Sequence, residues 1–114
     1  VIFNLHGRKF APVENSEHGH VNSRTIFRFQ QQGHLIVADY SGGGIRAGHI
    51  IGHFKAEDRA ELRYHCVLDT NALKAGKAIA TFSHMENGRM AIDMNWQWLE
   101  DLGEAGRSRY EEVL

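Results

Sequence analysis

"ADYSGGGIRAGHIIG" (residues 38–52) places five glycines in fifteen positions, and two opposite readings compete for it. One is a glycine-rich loop that cradles a phosphate. The other is a tight turn between two strands of a barrel. A phosphate loop needs a helix behind it, because the helix N-terminus supplies free amides and the positive end of a dipole. The residues after Gly44 are Ile-Arg-Ala-Gly-His-Ile-Ile-Gly, and two glycines among three isoleucines make a poor helix start. The Walker ending Gly-Lys-Ser/Thr is absent. In a G-x-G-x-x-G fingerprint, Ala47 stands where the third glycine belongs. A turn explains more. Gly42 to Gly44 supply the positive φ that a tight turn requires. Gly48 and Gly52 lie four apart on one strand face, as at a sharp bend or a close approach inside a small barrel.

The same alternation runs outward in both directions. "RKFAPVENS" (8–16) is a weak strand whose Pro12, the single proline, assigns it to an edge, an end or a bulge. "EHGH" (17–20) reads as a turn. "VNSRTIFRF" (21–29) puts Val21, Ser23, Thr25, Phe27 and Phe29 on one face, with Asn22, Arg24 and Arg28 on the other. "QQGH" turns the chain into "LIVADY" (35–40), and the glycine turn leads to "IRAGHIIGHFKA" (45–56). "AELRYHCVLD" (60–69) sets Leu62, Tyr64, Cys66 and Leu68 against Glu61, Arg63, His65 and Asp69. "LKAGKAIATFSH" (73–84) ends in "MENG", whose Asn-Gly is a hairpin signal. "RMAIDMNWQW" (89–98) alternates Met90, Ile92, Met94, Trp96 and Trp98 with Asp93, Asn95 and Gln97. After the polar "EDLGEAG", "RSRYEEVL" (107–114) completes the set, although "SRYEEVL" would also fit a helix. Eight short strands with short connections predict an all-β, single-domain, eight-stranded antiparallel up-and-down barrel over 1–114, with 1–6 as a loose N-terminal segment.

Composition excludes several functions. Net charge is −1 with 13 basic and 14 acidic residues, mixed along the chain, which gives no basic surface for nucleic acid. No apolar run approaches the ~18 residues of a membrane span. One cysteine, Cys66, permits no internal disulfide, and no signal peptide is visible, so the expected compartment is the cytoplasm. Cys66 itself reads as a small buried thiol in a strand interior.

A family likeness sits on specific residues. Tyr40-Ser41-Gly42-Gly43, then Gly48 and Gly52, then Tyr64, Gly76-Lys77, Gly88, Trp96-Gln97-Trp98, and finally Ser108 with Glu111-Glu112 resemble a group of small bacterial proteins often labelled "N-acetylglutamate synthase". Structurally that group is similar to calycin-like barrels, the broad class of lipocalins and fatty-acid-binding proteins. The resemblance covers the chain from about Gly7 and implies the barrel fold. The label would imply an acetyltransferase. The common acetyl-CoA motif, Gln/Arg-x-x-Gly-x-Gly/Ala on a β-turn-helix, has its nearest counterpart in Gln30-Gln31-Gln32-Gly33-His34-Leu35, which lacks the final small residue.

Chemistry is fainter than fold. An eight-stranded barrel is either filled or holds one small ligand, and periodicity does not separate the two. Inward parity falls on Phe27, Phe29, Tyr40, Ile50, Phe54, Tyr64, Phe82, Met94, Trp96 and Trp98. Tyrosine and tryptophan join an apolar wall to a polar tip, as an orienting pocket requires. Glu112 shares parity with Ser108 and Tyr110. If it points inward it needs a partner or anchors a ligand, and if outward it is an ordinary solvated carboxylate. Eight histidines are many for 114 residues. His49 and His53 share a face but stand roughly 13 Å apart. His49 with His65 or His84 is the combination neighbouring strands allow, and two ligands fall short of the usual three or four, so no metal or other cofactor is expected. Ser41 precedes glycines without forming the G-x-S-x-G elbow.

The expected function is therefore non-catalytic binding of a small, partly apolar molecule in the lumen. Tyr40, Tyr64, Trp96, Trp98, Phe27, Phe29 and Glu112 are the candidate ligand-binding residues. No nucleic-acid or membrane partner is expected, and self-association into a homo-oligomer is left open. The alternatives are an enzyme, the acetyltransferase among them, and a filled barrel with a structural or oligomerising role.

Overall fold

A computed structural model describes residues 3–15, 21–99 and 104–113. The strands are β1 (Lys9–Asn15), β2 (Ile26–Gln32), β3 (Leu35–Gly42), β4 (Ile45–Ala56), β5 (Arg59–Leu68), β6 (Leu73–His84), β7 (Met90–Trp98) and β8 (Ala105–Val113). Each pairs antiparallel with the next, and β8 pairs with β1, so the sheet closes into an eight-stranded up-and-down barrel. Among the described residues, closure removes free edges except along the upper part of the β1–β2 seam. Among the described residues no helix is long and apolar enough to cross a membrane.

Period-two patterning is what builds this barrel. On β7, Met90, Ile92, Met94, Trp96 and Trp98 are buried while Asp93, Asn95 and Gln97 are exposed. On β5, Leu62, Cys66 and Leu68 are buried and Tyr64 half-buried, while Arg63 and His65 face solvent. The last strand is strand rather than helix through residue 113, because Ser108 and Tyr110 must alternate inward to close the seam with β1.

One strand is shifted from its sequence reading. Alternation places β2 over 21–29 with a turn at 31–34. The strand runs instead from Ile26 to Gln32, with Gly33 at φ 60° in the hairpin. The parity survives, so Phe27 and Phe29 are inward and Arg28 is outward. Residues 22–25 form a turn, and Thr25 fixes it. Its Oγ1 accepts from the Asn22 amide at 3.1 Å and donates to the Gly42 carbonyl at 3.0 Å. The "EHGH" turn (17–20) and residues 100–103 of the polar loop lie outside the described residues.

The opening stretch is a hairpin. Gly42 has φ 106° and Gly43 φ 63°, and a Cβ on Gly42 would overlap the Arg24 carbonyl oxygen. Both the left-handed backbone and the apposed 22–25 turn therefore require glycine there. Pro12 lies beside a register shift between Pro12 and Glu14, on a strand that pairs with β2 only through Lys9↔Arg28 and Phe10↔Phe27. The β1–β2 seam is thus open over its upper half, where proline's missing amide costs nothing.

The two ends differ. The lower end carries the 33–34, 57–58 and 85–89 turns. Residues 3–8 cover it, and Phe3 and Leu5, in the segment expected to be loose, are buried there. Leu5 donates its amide to Gln31 Oε1 at 2.8 Å, and Gly7 donates to the Phe29 carbonyl at 2.9 Å. Phe10, Phe29, Ile36, Leu62 and Ile92 fill the space above at 0–2% exposure.

Candidate functional site

The upper half of the lumen keeps a cavity. Its wall is built by inward positions of β2 to β5, β7 and β8, with Asn15 of β1 and Val21 closing one side. Phe27, Tyr40, Tyr64, Trp96 and Trp98 all line it, together with Ile45, Ile50, Cys66, Met94, Ser108 and Tyr110. None of these carries a formal charge at neutral pH. The space open to water centres is about 40 Å3, or roughly three waters at the ~10–15 Å3 that one needs.

Two glycines let the aromatic rings lie flat. Tyr40 stands opposite Gly48, and Tyr64 opposite Gly76. A Cβ on Gly48 would overlap the Tyr40 ring, and one on Gly76 would sit 2.5 Å from the Tyr64 ring carbon and hydroxyl. Each ring therefore crosses the neighbouring strand where a side chain is missing. Of the two sequence readings for Gly48, the close approach is the correct one. The tyrosine tips reach two strands away: Tyr40 Oη donates to the His65 carbonyl and Tyr64 Oη to the Gln97 carbonyl, each at 3.4 Å. Phe27 stacks on Tyr40 with ring centres 4.5 Å apart, and Trp98 meets Tyr64 edge-on at 5.4 Å.

One polar line crosses the apolar wall. Trp96 Nε1 donates to Ser108 Oγ at 2.7 Å, and Ser108 Oγ donates in turn to Asn15 Oδ1. Asn15 Nδ2 donates to the Val21 carbonyl at 2.9 Å, which ties the line to the segment over the mouth. Ser108 is 2% exposed, so its hydroxyl depends on these partners. Sequence reading does not single out Asn15 or Thr25. Asn15 ends a weak strand and Thr25 sits in a misplaced one, so neither carries a signal beyond its parity.

The electrostatics are those of neutral donors. Burial pushes the Tyr40 hydroxyl far above the usual tyrosine range, with the neighbouring Cys66 thiol adding to it. Burial pushes Tyr110 up to about 12, against a hydrogen bond with Ser108 that lowers it. Neither phenol ionises near neutral pH, so neither acts there as a phenolate base or nucleophile. The Lys74 ammonium lies over the Trp98 ring at 5.6 Å, outside the lining.

Phe29 and Glu112 are not brought to this cavity. Phe29 packs edge-on against Phe10 in the filled lower half, at 5.4 Å. Glu112 is near the lower end with its side chain 10% exposed, bonded to Arg8 at 2.7 Å and accepting from the Met90 amide at 3.0 Å. Burial raises its pKa, but the Met90 amide and the Arg8 guanidinium outweigh that and hold it below the ordinary carboxylate value. Glu112 thus latches residues 3–8 to β8. The stretch nearest the acetyl-CoA motif, residues 30–35, is the β2–β3 hairpin and no helix comes after it. Gln31 there accepts from Leu5 and donates to the Phe3 carbonyl at 3.2 Å.

The histidines separate as well. His49 and His65 stand opposite on β4 and β5, both exposed on the outer face, with ring centres 5.7 Å apart. His84 stacks on Phe3 at the lower end, and His18 and His20 lie outside the described residues. Among the described residues no three histidine, cysteine or carboxylate side chains are grouped to hold a metal.

A closed eight-stranded meander, packed at one end and aromatic-lined at the other, is a calycin-like barrel. Within that class the chain belongs to the avidin-like protein family, whose model it matches over residues 3–113. No curated protein and no solved structure matches it.

Proposed function

We propose that this protein binds a small, uncharged, partly apolar molecule in the upper lumen, with Phe27, Tyr40, Tyr64, Trp96 and Trp98 as the wall. The observation that carries the reading is the placement of polar tips. The lower core is built of side chains without polar atoms. The upper wall holds tyrosine, tryptophan, serine and asparagine side chains around the unfilled space. Aromatic walls with a few placed polar groups are what small-molecule sites use. Family membership supports it, since avidin-like barrels typically bind small ligands such as biotin. The lining carries no charge to pair with an ionic group, so any charged part of a ligand stays at the mouth. The narrow space limits the ligand to a few heavy atoms unless Val21 or a ring moves aside. The same narrowness favours the second reading, a filled barrel acting through its surface.

Trp96 and Trp98 are the only tryptophans, so intrinsic fluorescence reports on this cavity alone. Protein as purified is compared with denatured protein by native mass spectrometry. It is then titrated with biotin and a panel of small neutral amphiphiles. A saturable emission change that Trp96→Phe weakens supports binding. Bare chain mass with flat emission across the panel leaves the filled barrel as the reading.

A further inference from the structure

We infer that His49 and His65 form an open two-imidazole site for a borderline divalent transition cation, with zinc as the probe. The site lies on the outer face of the barrel and is independent of the lumen. The two residues are register partners across β4 and β5, both strands are long, and both rings are exposed. Their ring centres are 5.7 Å apart at a 37° tilt. With metal–nitrogen distances of about 2.0–2.1 Å, two imidazoles held at a tetrahedral angle on one ion have centres about 5.2 Å apart. The observed separation differs by about half an ångström, and both rings are exposed and so free to rotate about χ toward a shared ion.

The surroundings favour this pair over the other histidines. Asp39 lies opposite His49 on β3, on the side away from His65. That is the direction from which a carboxylate orients a metal-bound imidazole through its second nitrogen. Arg28 faces Asp39 at 3.7 Å and so shares it. Arg63, two residues before His65 on the same face, and Lys77 opposite Arg63 are the cations that oppose metal charge. His53 is instead beside Glu61, at 3.7 Å, and His84 is stacked on Phe3. With two protein ligands, water completes the shell, so the ion is exchangeable rather than structural.

The experiment is calorimetric titration of tag-free protein with zinc chloride near pH 7.5, repeated on His49→Gln, His65→Gln and the control His53→Gln. Wild type is expected to take up one equivalent. Each of the first two variants should bind at least tenfold more weakly, and the control should match wild type. Zinc should also raise the thermal midpoint of wild type and leave that of His65→Gln unmoved, because only a native-state site adds stability. All three side chains are exposed, so each variant is expected to fold. Absence of stoichiometric uptake up to millimolar zinc overturns the site. So does wild-type affinity in either His49→Gln or His65→Gln, or an equal loss in the control.

Discussion

The lower and upper halves of this lumen obey the same alternation and differ in chemistry. Below, Phe10, Phe29, Ile36, Leu62 and Ile92 pack to 0–2% exposure, and no atom in these side chains asks for a hydrogen bond. Above, most of the large rings bring a polar tip, and three of these tips are directed to fixed partners: Tyr40 to the His65 carbonyl, Tyr64 to the Gln97 carbonyl, Trp96 to Ser108. Hydrocarbon fills space without orientation, whereas a hydrogen-bonded ring is held in one pose. The lower half therefore carries stability, and the upper half holds a shaped surface at some cost in packing.

The largest effect is expected below. Phe29→Ala removes a fully enclosed ring and should destabilise the barrel by about 3–5 kcal/mol, read as a shift in the denaturant midpoint at unchanged slope. Because Phe29 is outside the cavity, any ligand found by fluorescence should bind the still-folded fraction with unaltered affinity. A folded Phe29→Ala protein with weakened binding would show that the two halves are one site.

Legibility in the sequence divides along the same line. Strand existence, inward parity and closure are legible because period-two patterning recurs on most strands, and the shifted bounds of β2 do not disturb it. Five of the seven candidate ligand-binding residues meet around the cavity. Phe29 and Glu112 do not, because parity says which way a side chain points and says nothing of its height along the barrel axis. Height is set by register, and register depends on turns and bulges such as those at 22–25 and Pro12 that alternation does not encode. Gly48 reads as a bend or a close approach, but its partner Tyr40 becomes visible only through cross-strand pairing. The cap formed by Phe3 and Leu5 escapes for a similar reason. A two-residue apolar plug has no period to detect.

Intermediate effects are expected above. Gly48→Ala places a methyl group in the Tyr40 ring, which must leave its seat, and overpacking of this kind costs about 1–3 kcal/mol. It should also change the emission of Trp98, since Tyr40 and Tyr64 bound the same space. Stability and fluorescence as in wild type would mean that the ring does not rest on the glycine. Ser108→Ala leaves Trp96 Nε1–H without its acceptor in a buried position, a loss of about 1–3 kcal/mol. Ser108→Thr retains an oxygen and should recover part of it. Equal losses for alanine and threonine would assign the effect to packing rather than to the hydrogen bond.

The smallest effect tests the latch at the lower end. Glu112 accepts from the Met90 amide and pairs with Arg8, and its folded pKa lies below the ordinary value of 4.5. A depressed carboxylate contributes stability that is complete above its unfolded pKa and is lost as pH falls through the folded one. Glu112→Gln keeps an acceptor for Met90 but loses the charge opposite Arg8. That pair is partly exposed, so the loss near neutral pH should be about 1 kcal/mol or less and should shrink with added salt. On acidification the wild-type advantage over Glu112→Gln should narrow and vanish below the folded pKa, when both side chains are neutral. The comparison is made by urea melts from pH 7 down to about pH 3. A gap that stays constant across that range would show that Glu112 holds residues 3–8 by shape alone, and that the charge opposite Arg8 adds nothing to the closed end.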